Sequence, residues 1–162
     1  MAEEIKFIVD INAGKLAHWL RVMGYDALLF MDLDDSIMVK TALAQDRVIL
    51  TRDREIFKRR LVSSGKVKAM LLQNCNIIDQ ITSVVEAYNL DYDHRPFSLC
   101  LHCNTRLENR TRDQVQVKDK VPPHVFETHG AYMECSACHR IYWKGTHWEA
   151  MSQRLEAMSR GK

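Results

Sequence analysis

Two short stretches, Cys100-Leu101-His102-Cys103 and Cys135-Ser136-Ala137-Cys138, constrain the fold of this chain more than anything else in it. A Cys-x-x-Cys pair sets two thiolates on one tight turn. Two such turns facing each other present four sulfurs at the corners of a tetrahedron, the geometry zinc prefers. Cys100, Cys103, Cys135 and Cys138 are therefore read as the ligands of one structural zinc per chain, in a small β-rich zinc ribbon. The competing readings are two disulfides or a redox-active pair. Four protein ligands leave no open position for water, so this ion holds the fold and any catalysis belongs elsewhere. The 31 residues between Cys103 and Cys135 exceed the roughly 15 to 20 usual between paired knuckles. The ribbon must carry a long loop or an additional hairpin.

A length of 162 residues allows one medium domain or two small ones, and the metal site argues for two. Residues 1–94 alternate apolar runs with helical spacing. Strands are expected at 5–9, 27–31, 47–51 and 67–72, with helices at 13–23 (stopped by Gly24), 36–44, 55–61 and 77–89. This alternation predicts an α/β fold, a parallel sheet with helices on both faces. The boundary falls in 91–97, where charge and a proline replace periodicity. Residues 95–162 hold both knuckles, an arginine-bearing segment at 106–112, an alternating stretch at Val115 and Val117, and Pro122-Pro123. A closing helix spaces Trp148, Met151, Leu155 and Met158 along one face. No apolar run is long enough to span a bilayer, and Ala2-Glu3-Glu4 has the wrong charge for a secretory leader. Free thiols for metal fit a reducing compartment, so the cytoplasm is expected. The fifth cysteine, Cys75, is expected as a small buried hydrophobe.

Net charge is +2, with 13 basic and 14 acidic side chains in residues 1–96 against 10 and 7 in 97–162. Local clustering says more than this balance. In a parallel α/β sheet, ligands bind at the carboxyl ends of the strands. Asp10 ends the first strand, Asp53 lies two residues past the third, and Asp34 and Asp35 precede the second helix. Carboxylates meeting at one edge need a counter-charge, and such hard oxygen donors suit Mg²⁺ or Mn²⁺. Ions held there can ready a water and stabilise the leaving oxygen of a phosphodiester. Asp34, Asp35 or Asp53 could instead cap helices. Lys15, Arg21, Arg52, Arg54, Lys58 and Arg59 leave the same edge and are candidate phosphate contacts.

Three motifs carry a resemblance. They are 10–26 (Asp-Ile-Asn-Ala-Gly-Lys-Leu-Ala-His-Trp-Leu-Arg-Val-Met-Gly-Tyr-Asp), Ile49-Leu50-Thr51-Arg52-Asp53, and the knuckles with Arg140-Ile141-Tyr142-Trp143-Lys144-Gly145-Thr146-His147-Trp148. Together they resemble the Mut-seven-type C-terminal ribonuclease domain family, over roughly residues 5 to 158. The resemblance implies a PIN-like nuclease domain at 1–94 fused to a zinc ribbon at 95–162. It puts Asp10, Asp34 or Asp35, and Asp53 on the acidic positions and the four cysteines on the ribbon ligands. His18 stands where the family's Leu-Ala-Arg-Trp-Leu-Arg signature has arginine, and Asn12-Ala13 replace a more apolar pair.

The leading expectation is an RNA-binding, metal-dependent ribonuclease acting on single-stranded RNA through Mg²⁺ or Mn²⁺. Lys15, His18, Arg21, Arg52, Arg54, Lys58, Arg59, Lys144 and His147 would line the strand's path. Trp143, His147 and Trp148 are candidates for base stacking, the tryptophans alternatively for ribbon core. The other readings are an RNA-binding module of PIN-like shape without turnover, and a protein-interaction adaptor built on the ribbon.

Overall fold

The computed structural model of the chain describes residues 3–114 and 119–161. β1 (Lys6–Asp10) buries Phe7, Ile8 and Val9 completely, as an apolar strand covered on both faces must. Alternation along the strand decides which layer each residue joins. Phe7 and Val9 enter one apolar cluster and Ile8 another. β2 (Ala27–Phe30), β3 (Arg47–Thr51) and β4 (Ala69–Leu71) complete a parallel sheet in the order β2-β1-β3-β4. In β3 the same alternation sends Val48 and Leu50 to the first cluster and Ile49 to the second. Each fully buried side chain of this size contributes roughly 1.5–3 kcal/mol, so one strand stabilises both layers at once.

The connecting helices are α1 (Gly14–Val22), α2 (Asp35–Gln45), α3 (Arg60–Ser63) and α4 (Ile77–Tyr88). α1 and α4 bring Leu16, Leu20, Ile81 and Val84 to the first cluster, while α2 and α3 bring Met38, Val39 and Val62 to the second. Asp34 and Asn76 cap α2 and α4, accepting from the amides of Ser36 and Ile78 at 2.8 Å. Gly24 does end the first helix region, at φ +93°, and a Cβ there would collide with the Arg95 backbone carbonyl. The continuous basic helix expected at 55–61 is instead a 3₁₀ turn, Arg54–Lys58, followed by the short α3, with Arg59 extended between them. Ile56 and Val62 both enter the second cluster. Six residues of unbroken helix would leave them about 120° apart, so the chain breaks to turn both inward.

Beyond residue 98, β5 (Leu107–Thr111), β6 (Ala131–Cys135) and β7 (Ile141–Tyr142) form a second, antiparallel sheet in the order β5-β6-β7. The long span between knuckles contains β5, a short helix α5 (Pro123–Thr128) and β6, which is the extra hairpin the spacing required. Val115 and Val117 lie outside the described residues. Buried Glu134 on β6 accepts from Arg110 at 2.9 Å and Lys120 at 3.1 Å, with His139 at 3.5 Å. The last helix, α6 (Thr146–Arg160), returns to the parallel sheet's first cluster through Met151 and Leu155. Its Trp148 stacks on Phe97 at 3.9 Å, and Arg154 lies 6.0 Å over the Trp19 ring. The expected boundary at 94–95 thus sits between Tyr92 and Phe97, which both belong to that cluster. Among the described residues no helix is long and apolar enough to cross a membrane.

Candidate functional site

The two knuckles repeat one backbone pattern. The Cys100 amide donates to the Thr105 carbonyl and the Asn104 amide to the Cys100 carbonyl. The Cys135 amide pairs with the Arg140 carbonyl, and the His139 amide with the Cys135 carbonyl, at the same offsets. Asn104 and His139 take left-handed backbone conformations, φ 65° and 59°, which turns the chain back just after each second cysteine. The four sulfurs lie within 4.8 Å of one another, with Cys100 to Cys138 at 3.6 Å and Cys103 to Cys135 at 3.2 Å. Tetrahedral zinc with bonds of about 2.3 Å sets its sulfurs roughly 3.8 Å apart, so the donor set suits such an ion. Burial and the neighbouring thiols push Cys138 up to about 12. At Cys103 burial is outweighed by hydrogen bonds of Thr105, Cys135 and Cys100, which bring it down to about 6. Tyr142 Oη lies 3.1 Å from Cys100 Sγ and accepts from the Leu101 amide, supporting the first knuckle from outside.

At the other end of the molecule the acids come together. Strand order reverses between β1 and β3, and ligands of open parallel sheets bind at such a reversal, outside the carboxyl ends. Asp10 ends β1 there. Its Oδ2 accepts from Thr51 Oγ1 at 2.8 Å and from Asn12 Nδ2 at 2.9 Å. The same Thr51 oxygen accepts from the Asp53 amide at 3.0 Å, so one fully buried hydroxyl ties two acid positions together. Asp35, in the first turn of α2, titrates above the usual carboxylate range. Partial burial is the largest cause, followed by the charge of Asp53; Arg59 opposes them, and Asp10 and Asp34 add to the rise. Asp35 therefore lies within electrostatic reach of Asp53 and Asp10. Asp34 is exposed and spent on capping, and the Ser36 hydroxyl and amide hold its carboxyl below the usual range. Asp53 also caps, accepting from the Glu55 amide at 2.8 Å. Among the described residues the cysteines are the one group of three or more potential ligands drawn within 4.8 Å, and the carboxylates form a looser set.

The basic residues divide between the two ends. Arg52, Arg54, Lys58 and Arg59 stand exposed beside the acids; Lys58 pairs with Glu55 at 2.8 Å and Arg59 with Asp35 at 3.7 Å. Lys15 is exposed on α1 and His18 half-buried one turn on. Burial, then the charges of His147 and Arg21, lower the His18 pKa, so it is neutral at pH 7. His147 is exposed near it, and Lys144 lies 5.8 Å over the Trp148 ring. Trp143 packs against the Val121, Val125 and Tyr132 cluster of the ribbon, and Trp148 stacks on Phe97 against the first cluster of the parallel sheet. Two expectations need correction. Arg21 is 5% exposed and donates to the carbonyls of Ala27, Leu101 and His102, because α1 runs back from the acidic edge and its far end meets the first knuckle. Cys75 is exposed, its sulfur 2.9 Å from an Arg52 guanidinium nitrogen, since the loop after β4 passes over the sheet edge. Sequence reasoning missed Asn12 and Thr51 as organisers of the acids. The signal for Thr51 was a hydroxyl closing an apolar strand.

No curated protein matches the chain. The family model of the Mut7-C RNAse domain matches residues 5–155, a span that holds the parallel sheet, the acidic edge and both knuckles. On that match the chain belongs to the Mut7-C RNAse domain family.

Proposed function

We propose that this protein is a metal-dependent ribonuclease that hydrolyses phosphodiester bonds of single-stranded RNA at the carboxyl edge of its parallel sheet. The observation that carries the reading is the Thr51 hydroxyl that joins the Asp10 carboxylate to the Asp53 amide at the point where strand order reverses. Asp10, Asp35 and Asp53 offer only hard oxygen donors, the set that Mg²⁺ or Mn²⁺ takes. Mg²⁺ keeps several waters and shares its ligands between one or two carboxylates and substrate phosphates, so a loose set of acids suits it. Such an ion, when bound, would supply an activated water and stabilise charge on the leaving oxygen. The chain's own residues do the rest. Thr51 and Asn12 hold the Asp10 carboxylate at the strand end, and Arg52, Arg54 and Lys15 draw the phosphates toward it. The zinc ribbon keeps a closed four-sulfur centre with no chemical part in the reaction. A cytoplasmic setting, where thiols stay reduced, fits both halves.

A second reading, an RNA-binding module without turnover, is favoured by the caps: Asp34 and Asp53 are already engaged with backbone amides. Cleavage of a labelled single-stranded RNA in Mn²⁺, Mg²⁺ or EDTA, with wild type beside Asp10→Asn, separates the two. The nuclease reading expects metal-dependent cleavage lost in the variant with RNA affinity kept. Salt-sensitive binding with no cleavage in either ion would establish the module instead.

A further inference from the structure

Six large hydrophobic side chains stand exposed among the described residues, and four of them border the acidic edge: Ile11 (46% exposed), Met31 (65%), Leu33 (92%) and Ile37 (44%). Register puts them at one edge. Asp10 pairs with Phe30 across the parallel strands, and Ile11 and Met31 are the first residues after the paired ends, Ile11 opening a 3₁₀ turn. Leu33 and Ile37 continue the same connection into α2. On the other side of β1, the segment after β3 carries Arg52, Arg54, Lys58 and Arg59 against two acids, Asp53 and Glu55. The segment from Met31 to Ile37 carries three acids and no base. Phosphates are drawn to the β3 side, where bases outnumber acids, more than to the β2 side, whose acids have Arg59 beside Asp35 at 3.7 Å, while the β2 side offers the apolar surface.

We propose that Ile11, Met31, Leu33 and Ile37 form a subsite for unpaired nucleobases, so that a single RNA strand lies across the acids with its phosphates toward Arg52 and its bases on this lip. The inference rests on the ribonuclease reading and deepens it. A single-stranded polynucleotide has the same two-sidedness as the rim, an anionic backbone on one side and apolar base faces on the other. A duplex hides those faces and presents phosphate on both sides, although the β2 side draws it less. Large exposed apolar groups gathered in one place mark a binding surface, and here the neighbouring charge selects the occupant.

The test compares fluorescence anisotropy of three labelled probes of equal length: a single-stranded RNA, the same strand annealed to its complement, and an abasic ribose-phosphate strand. Wild type and the double variant Met31→Ser, Leu33→Ser are used, both sites being exposed and absent from the two core clusters. Wild type is expected to bind the single strand roughly tenfold more tightly than either other probe. The double variant loses that advantage and keeps its affinity for the abasic strand. Equal binding of single-stranded and abasic probes overturns the subsite while leaving an RNA-backbone reading intact. No binding of any probe sinks both. Unchanged RNA affinity in the variant, with loss of a wild-type dimer by light scattering, would make the lip a self-association face and overturn the proposal.

Discussion

Arg21 Nη1 donates to the Leu101 carbonyl across 2.9 Å, and through that bond the first helix of the parallel sheet holds the first zinc knuckle. The same guanidinium reaches His102 and Ala27. Asn104 adds a second tie, accepting from the Ala27 amide at 3.1 Å and donating to Asp26 at 2.6 Å. The ribbon is thus fastened to the start of β2, at the opposite edge from the acids.

Arg21→Met is expected to cost about 2–4 kcal/mol, because three carbonyls, that of Ala27 buried and those of Leu101 and His102 part-buried, lose a charged donor. Thermal unfolding and the rate of zinc release to a chelator should both shift, while RNA affinity of the folded variant stays near wild type. Lost RNA affinity with unchanged unfolding and zinc release would return Arg21 to the phosphate contacts.

Thr51→Val keeps shape and removes the hydroxyl that joins Asp10 to the Asp53 amide. Stability should fall by about 1–2 kcal/mol. Groups that orient metal ligands are typically worth roughly 10–100-fold in affinity or activity, so the Mn²⁺ concentration for half-maximal cleavage should rise by that order. An unchanged metal titration would reduce Thr51 to a packing residue.

Asp35 titrates above the ordinary carboxylate value, so folding favours its protonated form. Its contribution to stability is therefore full below the unfolded carboxylate range and is lost as pH rises through the raised folded value. At neutral pH the charge opposes folding. Asp35→Asn should then melt about 1–2 °C above wild type at pH 7, with the difference vanishing at acid pH and cleavage lost. Mn²⁺ should raise the wild-type melting temperature more than the variant's. A variant less stable at every pH would mean that the Arg59 contact outweighs the repulsion.

Glu134 behaves in the opposite sense. Burial would raise its carboxyl, but Lys120 and Arg110 bring it below the usual range, so its stabilisation is present above the unfolded carboxylate range and lost as pH falls through the folded value. Glu134→Ala leaves those cations without their buried partner and should cost about 2–4 kcal/mol at pH 7, less than a fully buried pair because both cations reach solvent. Urea melts at pH 7 and at acid pH would test both the size and the sign.

One zinc per chain is expected from metal analysis of purified protein. Cys135→Ser should lose it and leave the C-terminal half open to limited proteolysis. Disulfides in place of the metal would defeat the assignment.

Periodicity carried the parallel sheet into view because each buried strand must satisfy two faces, so Phe7, Ile8 and Val9 could be nothing else. Cysteine spacing did the same for the ribbon, and the places of Asp10 at the end of β1 and Asp53 two residues past β3 were legible because a carboxylate after an apolar run marks the sheet edge. The fate of Arg21 was not legible. Its place in the motif said nothing of direction, and only the antiparallel return of α1 decided that its guanidinium meets a knuckle rather than a phosphate. Asp34 and Asp35 were equivalent as neighbours in sequence. The start of α2 separated them, since the residue before the first turn caps the helix and the next one faces the other acids. Local chemistry, set by residue type and spacing, is written along the chain. Which charges come to share one edge depends on strand order and register, and these exist only once the sheet has closed.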